Sequence, residues 1–475
     1  MWAEAFAWFL ACRYLLTRGI NAVALFGVAV AVWALIVVIA VFSGMIAQIH
    51  EHVRSASAEL LLQDLDQPCS YAQVRRVLEA DPEVESTAPR LSQVGIYFPR
   101  HAFDERGGGV VRALEQKPLD HNFLVFVGVD PVREARTTGF SGWLDAVTYP
   151  GARVADLDAP FRVPAARIER VLRLLGEDLP PGGVRDETSR ALIVSTDRFS
   201  RPVPLDCGLG VDVVGGYFAT RDGKPELQQF KFPLLVAGAY RTEYMAVNLT
   251  QAFVPIQTLR DALGFRRSVA RPDQPFTDIV SEVAIRARPG ADLARVAARL
   301  QQLVAPHFGG RVQSWMEQNA TYLSAVHNER GLMKVVLFVV MLVAGFLVYA
   351  MLHMMVAQKR RDIGVLTALG ATPRGVLTVF LLCGGLVGAA GCVLGTIAGA
   401  LSAAYLNDVN DWMRASFGFE LFPRSIYLID RIPYQLEAEW IGQVVLGAFV
   451  LTILVAFLPA RRAARLSPVQ ALAHE

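Results

Sequence analysis

Chemistry needs particular side chains at particular spacings, and few such sets occur in this 475-residue sequence. His50-Glu51-His52 places two imidazoles at i and i+2. On a helix those positions point to different sides, so the triplet reads as solvated charge rather than as paired metal ligands. Asp222-Gly223-Lys224-Pro225 lacks the G-x-x-x-x-G-K-[ST] spacing whose backbone amides cradle phosphates, so the chain does not hold ATP by itself. No H-E-x-x-H, nucleophile elbow or C-x-x-C occurs. No catalytic residue and no metal ligand is assigned. Cys12, Cys383 and Cys392 fall in or beside apolar runs, where packing is their use. Cys69 and Cys207 fall in a long extramembrane region, and whether they pair is left open, since an oxidising compartment permits a disulfide without requiring one.

The set that remains is basic and contiguous: Lys359, Arg360, Arg361 and Asp362, followed by Ile363, Gly364, Val365, Leu366, Thr367, Ala368, Leu369 and Gly370. An apolar run over 335–356 stops at it, and another begins at Val376. Ile363, Leu366 and Leu369 recur every three residues and so share one face of a helix. Gly370 falls where a helix needs a C-cap, Thr372 where the next needs an N-cap, and Pro373 at its first turn. The pattern predicts helix, short surface helix, helix, with the middle piece lying at a membrane face.

The elements around that bend follow from composition. The chain is 53% hydrophobic with a mean hydropathy of +0.35, and the excess is concentrated in runs of about 20 residues, enough to cross a bilayer core. These predict transmembrane helices over 20–45, 333–357, 374–404 and 438–458, with the bend at 358–373. Residues 1–19, with Trp2, Phe6, Trp8, Phe9, Tyr14, Arg13 and Arg18, predict an interfacial helix. Gly384, Gly388, Gly391, Gly395 and Gly399 recur at three or four residues and line one face of the third helix, where small residues let backbones approach closely. His353, near the end of the second helix, reads as a snorkelling side chain, and Glu329 and Arg330 as interfacial anchors. Residues 46–328 hold no spanning run and predict an α+β domain of two lobes between the first and second helices. Its strands are expected at 60–62, 94–98, 123–129, 191–195, 232–237 and 252–256, and its helices at 71–80, 165–175 and 292–304. Residues 180–183 and 271–275 read as loops. Residues 405–437 predict a short second external loop. In the tail, 459–475, Ser467, Pro468 and Gln470 predict a short capped helix.

Charge placement orients the whole. Arg13 and Arg18, Lys359 to Arg361 with Arg374, and Arg461, Arg462 and Arg465 all fall on one side of four spans. The positive-inside rule makes that side the cytoplasm, with both termini on it. The net charge is only +2 and the basic residues cluster beside the spans, so no nucleic-acid partner is indicated.

The string from Lys359 to Thr372 resembles the cytoplasmic coupling segment of ABC-transporter permeases of the FtsX, MacB and LolC/LolE superfamily. Pro459-Ala460-Arg461-Arg462-Ala463-Ala464 and the Leu466 to Leu472 stretch resemble that superfamily's ending. Ala88-Pro89-Arg90, Val127-Gly128-Val129-Asp130-Pro131 and Ile426-Tyr427-Leu428-Ile429-Asp430-Arg431-Ile432-Pro433 resemble the lipoprotein-releasing LolC/LolE branch, while 140–250 departs from it. The resemblance implies a MacB-like periplasmic domain between the first two helices of an inner-membrane protein. It implies that Lys359 to Asp362, Ile363, Gly364, Leu366, Leu369 and Gly370 couple to a separate cytoplasmic ABC ATPase, which carries the ATP and Mg while this chain binds no cofactor and catalyses nothing. MacB-type proteins carry a fused N-terminal ATPase, and the expectation here is the unfused LolC/LolE type. The implied partners are a second permease copy or paralogue, membrane lipid, lipoprotein cargo held between 24–42 and 335–348, and a periplasmic chaperone. The alternatives are MacB-like mechanotransmission that exports periplasmic substrates, and FtsX-like signalling to cell-wall hydrolases.

Overall fold

The computed structural model describes residues 8–11, 13–14, 19–65, 69–99, 101–103, 110–112, 123–177, 179–199, 207–221, 224–264, 278–418 and 431–466. They divide into two compact units: Met1–Gln48 with Tyr322–Glu475, and Ile49–Thr321.

Six helices among the described residues frame the first unit's site: α1 (Gly19–Ala56), α2 (Ala320–Gln358), α3 (Arg360–Ala368), α4 (Pro373–Ala404), α5 (Leu406–Phe417) and α6 (Ala438–Ala464). Four of them, α1, α2, α4 and α6, are long and apolar enough to cross a membrane. The sequence places α1 over 20–45 and α2 over 333–357, yet both helices run further into polar residues. Loss of hydrophobicity marks where lipid ends, not where a backbone stops satisfying its own hydrogen bonds. α6 likewise passes through Pro459 to Ala464. Helix α5, inside the segment expected to be a loop, carries a helical charge pattern (Asp408 in the first turn, Arg414 in the last) and stops at Gly418 in the left-handed region, φ +64°.

Gly384, Gly388, Gly391, Gly395 and Gly399 of α4 are buried, and their stripe serves two neighbours. A Cβ on Gly384 would stand 2.6 Å from Ala456 Cβ and one on Gly388 2.8 Å from Thr452 Cγ2, both on α6. Further along, a Cβ on Gly391 would meet Val28 at 2.7 Å, on Gly395 the Ala29 carbonyl oxygen at 2.6 Å, and on Gly399 Ile36 at 2.9 Å, all on α1. One small-residue face thus brings two different helix backbones close to α4, as interfaces inside a bilayer require. Trp33 Nε1 donates to Ser402 Oγ at 2.8 Å, which ties α1 to α4 once more.

The second unit is one α+β body rather than two lobes. Beside two small two-stranded sheets, its main strands are β1 (Leu60–Leu65), β2 (Val84–Pro99), β3 (Phe123–Val129), β4 (Ala191–Ser195), β5 (Gly210–Arg221), β6 (Lys224–Tyr240), β7 (Gln251–Pro255), β8 (Glu282–Ala287) and β9 (Gly309–Ser314). They form a single sheet in the order β9-β1-β8-β2-β3-β7-β4-β6-β5. The long β2 spends residues 84–90 on β8 and 96–99 on β5, so the last six strands in that order close into a ring. Residues 140–250 supply β4, β5 and β6 and are therefore integral to the sheet. The all-buried Ala191–Ser195 strand is the continuous apolar run expected of a strand covered on both faces.

Two large apolar clusters fill the domain, beside a small one of Ala58, Leu61, Ala88 and Ala284. One includes Leu62, Val74, Phe126, Leu192, Val213 and Leu300. The other centres on Phe140, Trp143, Tyr240 and Phe253, with Phe253 4.9 Å from the Tyr240 ring and 5.3 Å from Phe140. Leu293–Phe308 starts where the Asp292 carboxylate caps the amides of Ala294 and Arg295, and Ser314 with Glu317 forms a full capping box. Glu134 is fully buried and accepts from Arg90 Nε at 3.2 and 3.3 Å, with a further short contact from Nη2. Burial opposes the Arg90 charge, but Glu134 outweighs it and raises the guanidinium pKa.

Cys69 and Cys207 do not join in a disulfide; Cys207 Sγ donates to the Gly151 carbonyl at 3.1 Å. His52 pairs with Glu243 at 3.1 Å and the His50 ring meets the Trp315 edge. The predicted loop 271–275, the predicted tail helix, the Asp222-Gly223 pair, Cys12, Arg18, most of the interfacial helix and the LolC/LolE-like string at 426–430 lie outside the described residues, as do the side chains of Glu329 and Arg330.

Candidate coupling site at the basic bend

The bend folds as its residues dictate. Lys359 precedes α3, and its ammonium reaches Asp362 Oδ2 at 2.7 Å one turn on, fixing the entry. The exit is a Schellman turn. The Ala371 amide donates to the Leu366 carbonyl at 3.0 Å and the Gly370 amide to Thr367 at 3.1 Å, with Gly370 at φ +93°. Only glycine adopts that conformation cheaply. Thr372 Oγ1 then accepts from the Gly375 amide at 3.2 Å, and Pro373 opens α4. The short helix is clamped by chemistry at both ends.

Ile363 (1% exposed) and Gly364 are the buried face of α3. Arg360, Arg361, Asp362, Val365 and Ala368 point outward. The period-three expectation fails at its last member: Leu369 is 81% exposed. The helix ends at Ala368, so Leu369 belongs to the exit turn and swings off the buried face. Val365 and Leu369 stand beside Arg360 and Arg361 as an apolar and cationic surface, a composition suited to a protein partner.

Behind α3 lies an apolar cavity of about 490 Å³. Ile363 and Leu366 form its α3 side, Val379 and Phe380 its α4 side, and Leu10 and Tyr14 a third wall. Tyr14 is the site residue that sequence reasoning assigned only to an interfacial helix. Its ring lies 6.4 Å from Phe380, and the Lys359 ammonium sits 4.9 Å above it. Burial, with Asp362 and then Cys383 adding, pushes the Tyr14 phenol up to about 12. The ring is therefore neutral at physiological pH and offers Lys359 a cation–π face. A Tyr closing an aromatic-rich stretch was the available signal, but no spacing in the sequence links position 14 to 359.

His353 stacks on Tyr349 at 5.9 Å, and Arg462 Nη1 reaches the Tyr349 hydroxyl at 3.3 Å. At the opposite end of the helices, α1, α2 and α6 enclose an apolar chamber of about 260 Å³. Leu35, Ile39 and Phe42 line it from α1, Phe338 and Met341 from α2, and Trp440 from α6. Among the described residues no cluster of three or more His, Cys, Asp and Glu converges as a metal site.

Comparison with known proteins bears on both ends of this unit. Residues 334–468 match the family model "FtsX-like permease C-terminal". The lipoprotein-releasing system transmembrane protein LolC of Xylella fastidiosa strain 9a5c is 30% identical over 164 residues, which are 34% of this chain and 40% of that protein. LolC of strain Temecula1 is 25% identical over 257 residues, 53% of this chain and 56% of that one. The macrolide export ATP-binding/permease protein MacB of Agrobacterium fabrum is 23% identical over 250 residues, 51% of this chain and 34% of its own. This chain thus spans about half the length of the LolC relatives it matches. The periplasmic region of MacB from Actinobacillus actinomycetemcomitans overlaps 58% of this chain and 97% of its own at 10% identity, and its TM-score of 0.29 adds nothing to the fold. With the capped bend, the glycine-packed α4 and the matched span in agreement, residues 334–468 are an FtsX-like permease domain.

Proposed function

We propose that this chain is the membrane subunit of an ABC transporter of the FtsX/MacB type, coupled to a separate cytoplasmic ATPase through α3. The observation that carries the reading is the outward face of α3: Arg360, Arg361, Val365 and Leu369, held rigidly between a Lys359–Asp362 entry and a Gly370 exit. A rigid, solvent-facing patch of two cations and two apolar side chains fits a protein partner that moves on ATP binding. ATP and Mg belong to that partner. The positive-inside rule favours the basic bend, both termini and the ATPase on the cytoplasmic side, and the Lol relatives support an inner-membrane location.

The finer reading is lipoprotein release. Its support is the LolC naming of several relatives at 25–30% identity and the apolar chamber at the far end of α1, α2 and α6. Burying an acyl chain there recovers about 0.8 kcal/mol per methylene lost from the bilayer. A second permease, a copy or a paralogue, completes the pair, and the domain between α1 and α2 hands cargo to a periplasmic chaperone. ATP binding acts by favouring one of two arrangements of this assembly.

Leu369→Asp and Val365→Asp test the coupling. Both positions are exposed, so the thermal midpoint of the purified protein stays unchanged. ATPase association, or stimulation of its turnover, is expected to fall at least about tenfold, the scale of an interface hot spot. Full association and full turnover in both variants would remove α3 from the coupling role.

A further inference from the structure

The seam between α1 and α6 adjoins the chamber, sharing Ile39, Trp440 and Val444 with it, and is covered by backbone. Residues 431–437, which lead into α6, lie across the far end of α1. The Gln435 amide donates to the Ala40 carbonyl of α1 at 2.9 Å. A Cβ on Gly44 would stand 2.5 Å from the Pro433 carbonyl carbon and 2.5 Å from the Tyr434 nitrogen. Those are backbone atoms, so no rotamer change relieves the clash; only a glycine lets this strand approach. The other end of the segment is also held. Asn407 of α5 donates to the Ile432 carbonyl at 3.1 Å and accepts its amide at 2.8 Å, as a backbone partner would. Ile432 is buried, and the seam beneath the segment, formed by Ile36, Ala40 and Val444, is buried and nearly free of empty space, with a residual cavity of about 10 Å³. The α2 side differs: Phe338, which lines the chamber, is 55% exposed.

We propose that residues 431–437 are a latch that pins the far end of α1 to the head of α6, closing the chamber on that side so that an apolar chain enters only past α2. Gly44, Gln435 and Asn407 are its positioning residues. The nature of the entering chain rests on the acyl-chain reading above; the latch itself does not. α1 and α6 then act as one wall, and α2 is the element whose displacement opens the chamber.

The test uses the full chain in phospholipid nanodiscs, with two separate readouts. Hydrogen exchange across 431–440 reads the latch. Cross-linking by a phospholipid with a diazirine-bearing acyl chain, mapped by mass spectrometry, reads chamber access. Gly44→Val wedges the latch off α1, and Gln435→Pro removes its amide donor; Gly442→Ala, with nothing within 4 Å of the added methyl, is the control. The latch predicts slow exchange at 431–440 in the native protein and in Gly442→Ala, and exchange on the order of tenfold faster in both latch variants. It also predicts labelling of Phe338 and Met341 in the native protein, spreading to Ile36 and Ile441 when the latch is lost. Native exchange as fast as an unstructured peptide, or no change in either latch variant, overturns the proposal. Spreading that fails to occur despite faster exchange overturns its closing role. Absence of acyl labelling in every form sinks the acyl-chain reading instead, and exchange still decides the latch.

Discussion

At the scale of single residues, the strongest constraints are places where an atom is missing. Gly395 leaves room for the Ala29 carbonyl, and no side-chain motion can make room for a larger residue there. Gly395→Val is expected to lower stability by about 1–3 kcal/mol through overpacking of α4 against α1. Gly385→Ala, which meets nothing within 4 Å on the same helix, is expected to be neutral. Thermal unfolding of the two variants in the same detergent checks the contrast. The buried Arg90–Glu134 pair makes a second prediction. Glu134→Ala strands a buried guanidinium and is expected to cost about 3–5 kcal/mol, whereas Arg90→Met with Glu134→Leu together recovers most of that loss. The glycine spacing was readable in the sequence as a packing face. Its division between two partners was not, because periodicity says which residues share a face and nothing about what crosses it.

At the scale of elements, α3 shows how far local rules reach. Its caps, its entry and its exit followed from Lys359, Asp362, Gly370, Thr372 and Pro373, each of which acts within one turn of its own position. Tyr14 acts across 345 positions of chain, and no local rule finds it. Tyr14→Ala is expected to reduce coupling while leaving the outward face of α3 intact, because it removes the ring under Lys359 and a wall of the cavity behind Ile363. ATPase stimulation should fall by less than in Leu369→Asp, and ATPase binding should persist. Equal losses of both would show that Tyr14 only holds the fold. The soluble sheet carries its own pH dependence. Burial pushes the Asp81 pKa up, but Arg299 and the Glu83 amide outweigh it and hold that carboxyl below the usual range. The Ala165 amide and Arg162 do the same for Asp186. A carboxyl with a lower pKa folded than unfolded stabilises the fold above the unfolded value, near 4, and loses that contribution as pH falls through the folded one. The melting temperature of the second unit should therefore drop below about pH 4, and Arg299→Met should flatten the acid limb.

At the scale of the whole molecule, four apolar runs were enough to place the four long helices, since bilayer thickness acts on composition alone. The ring of strands in the second unit was beyond that reach. β2 spends its sixteen residues on three partners, and β4 pairs in parallel with β6 and antiparallel with β7, choices set by long-range packing rather than by any run of residues. The latch was hidden for the same reason: Gly44, Asn407 and Gln435 are ordinary residues until the fold brings them together. Purification of the tagged protein from membranes in mild detergent, followed by mass spectrometry of what accompanies it, tests the central claim most directly. An ABC ATPase together with lipid-modified proteins that leave when ATP is added is the predicted result. An ATPase accompanied by an outer-membrane channel or a cell-wall hydrolase, with no lipid-modified protein, would contradict lipoprotein release, and the absence of any ATPase would contradict the coupling role of α3.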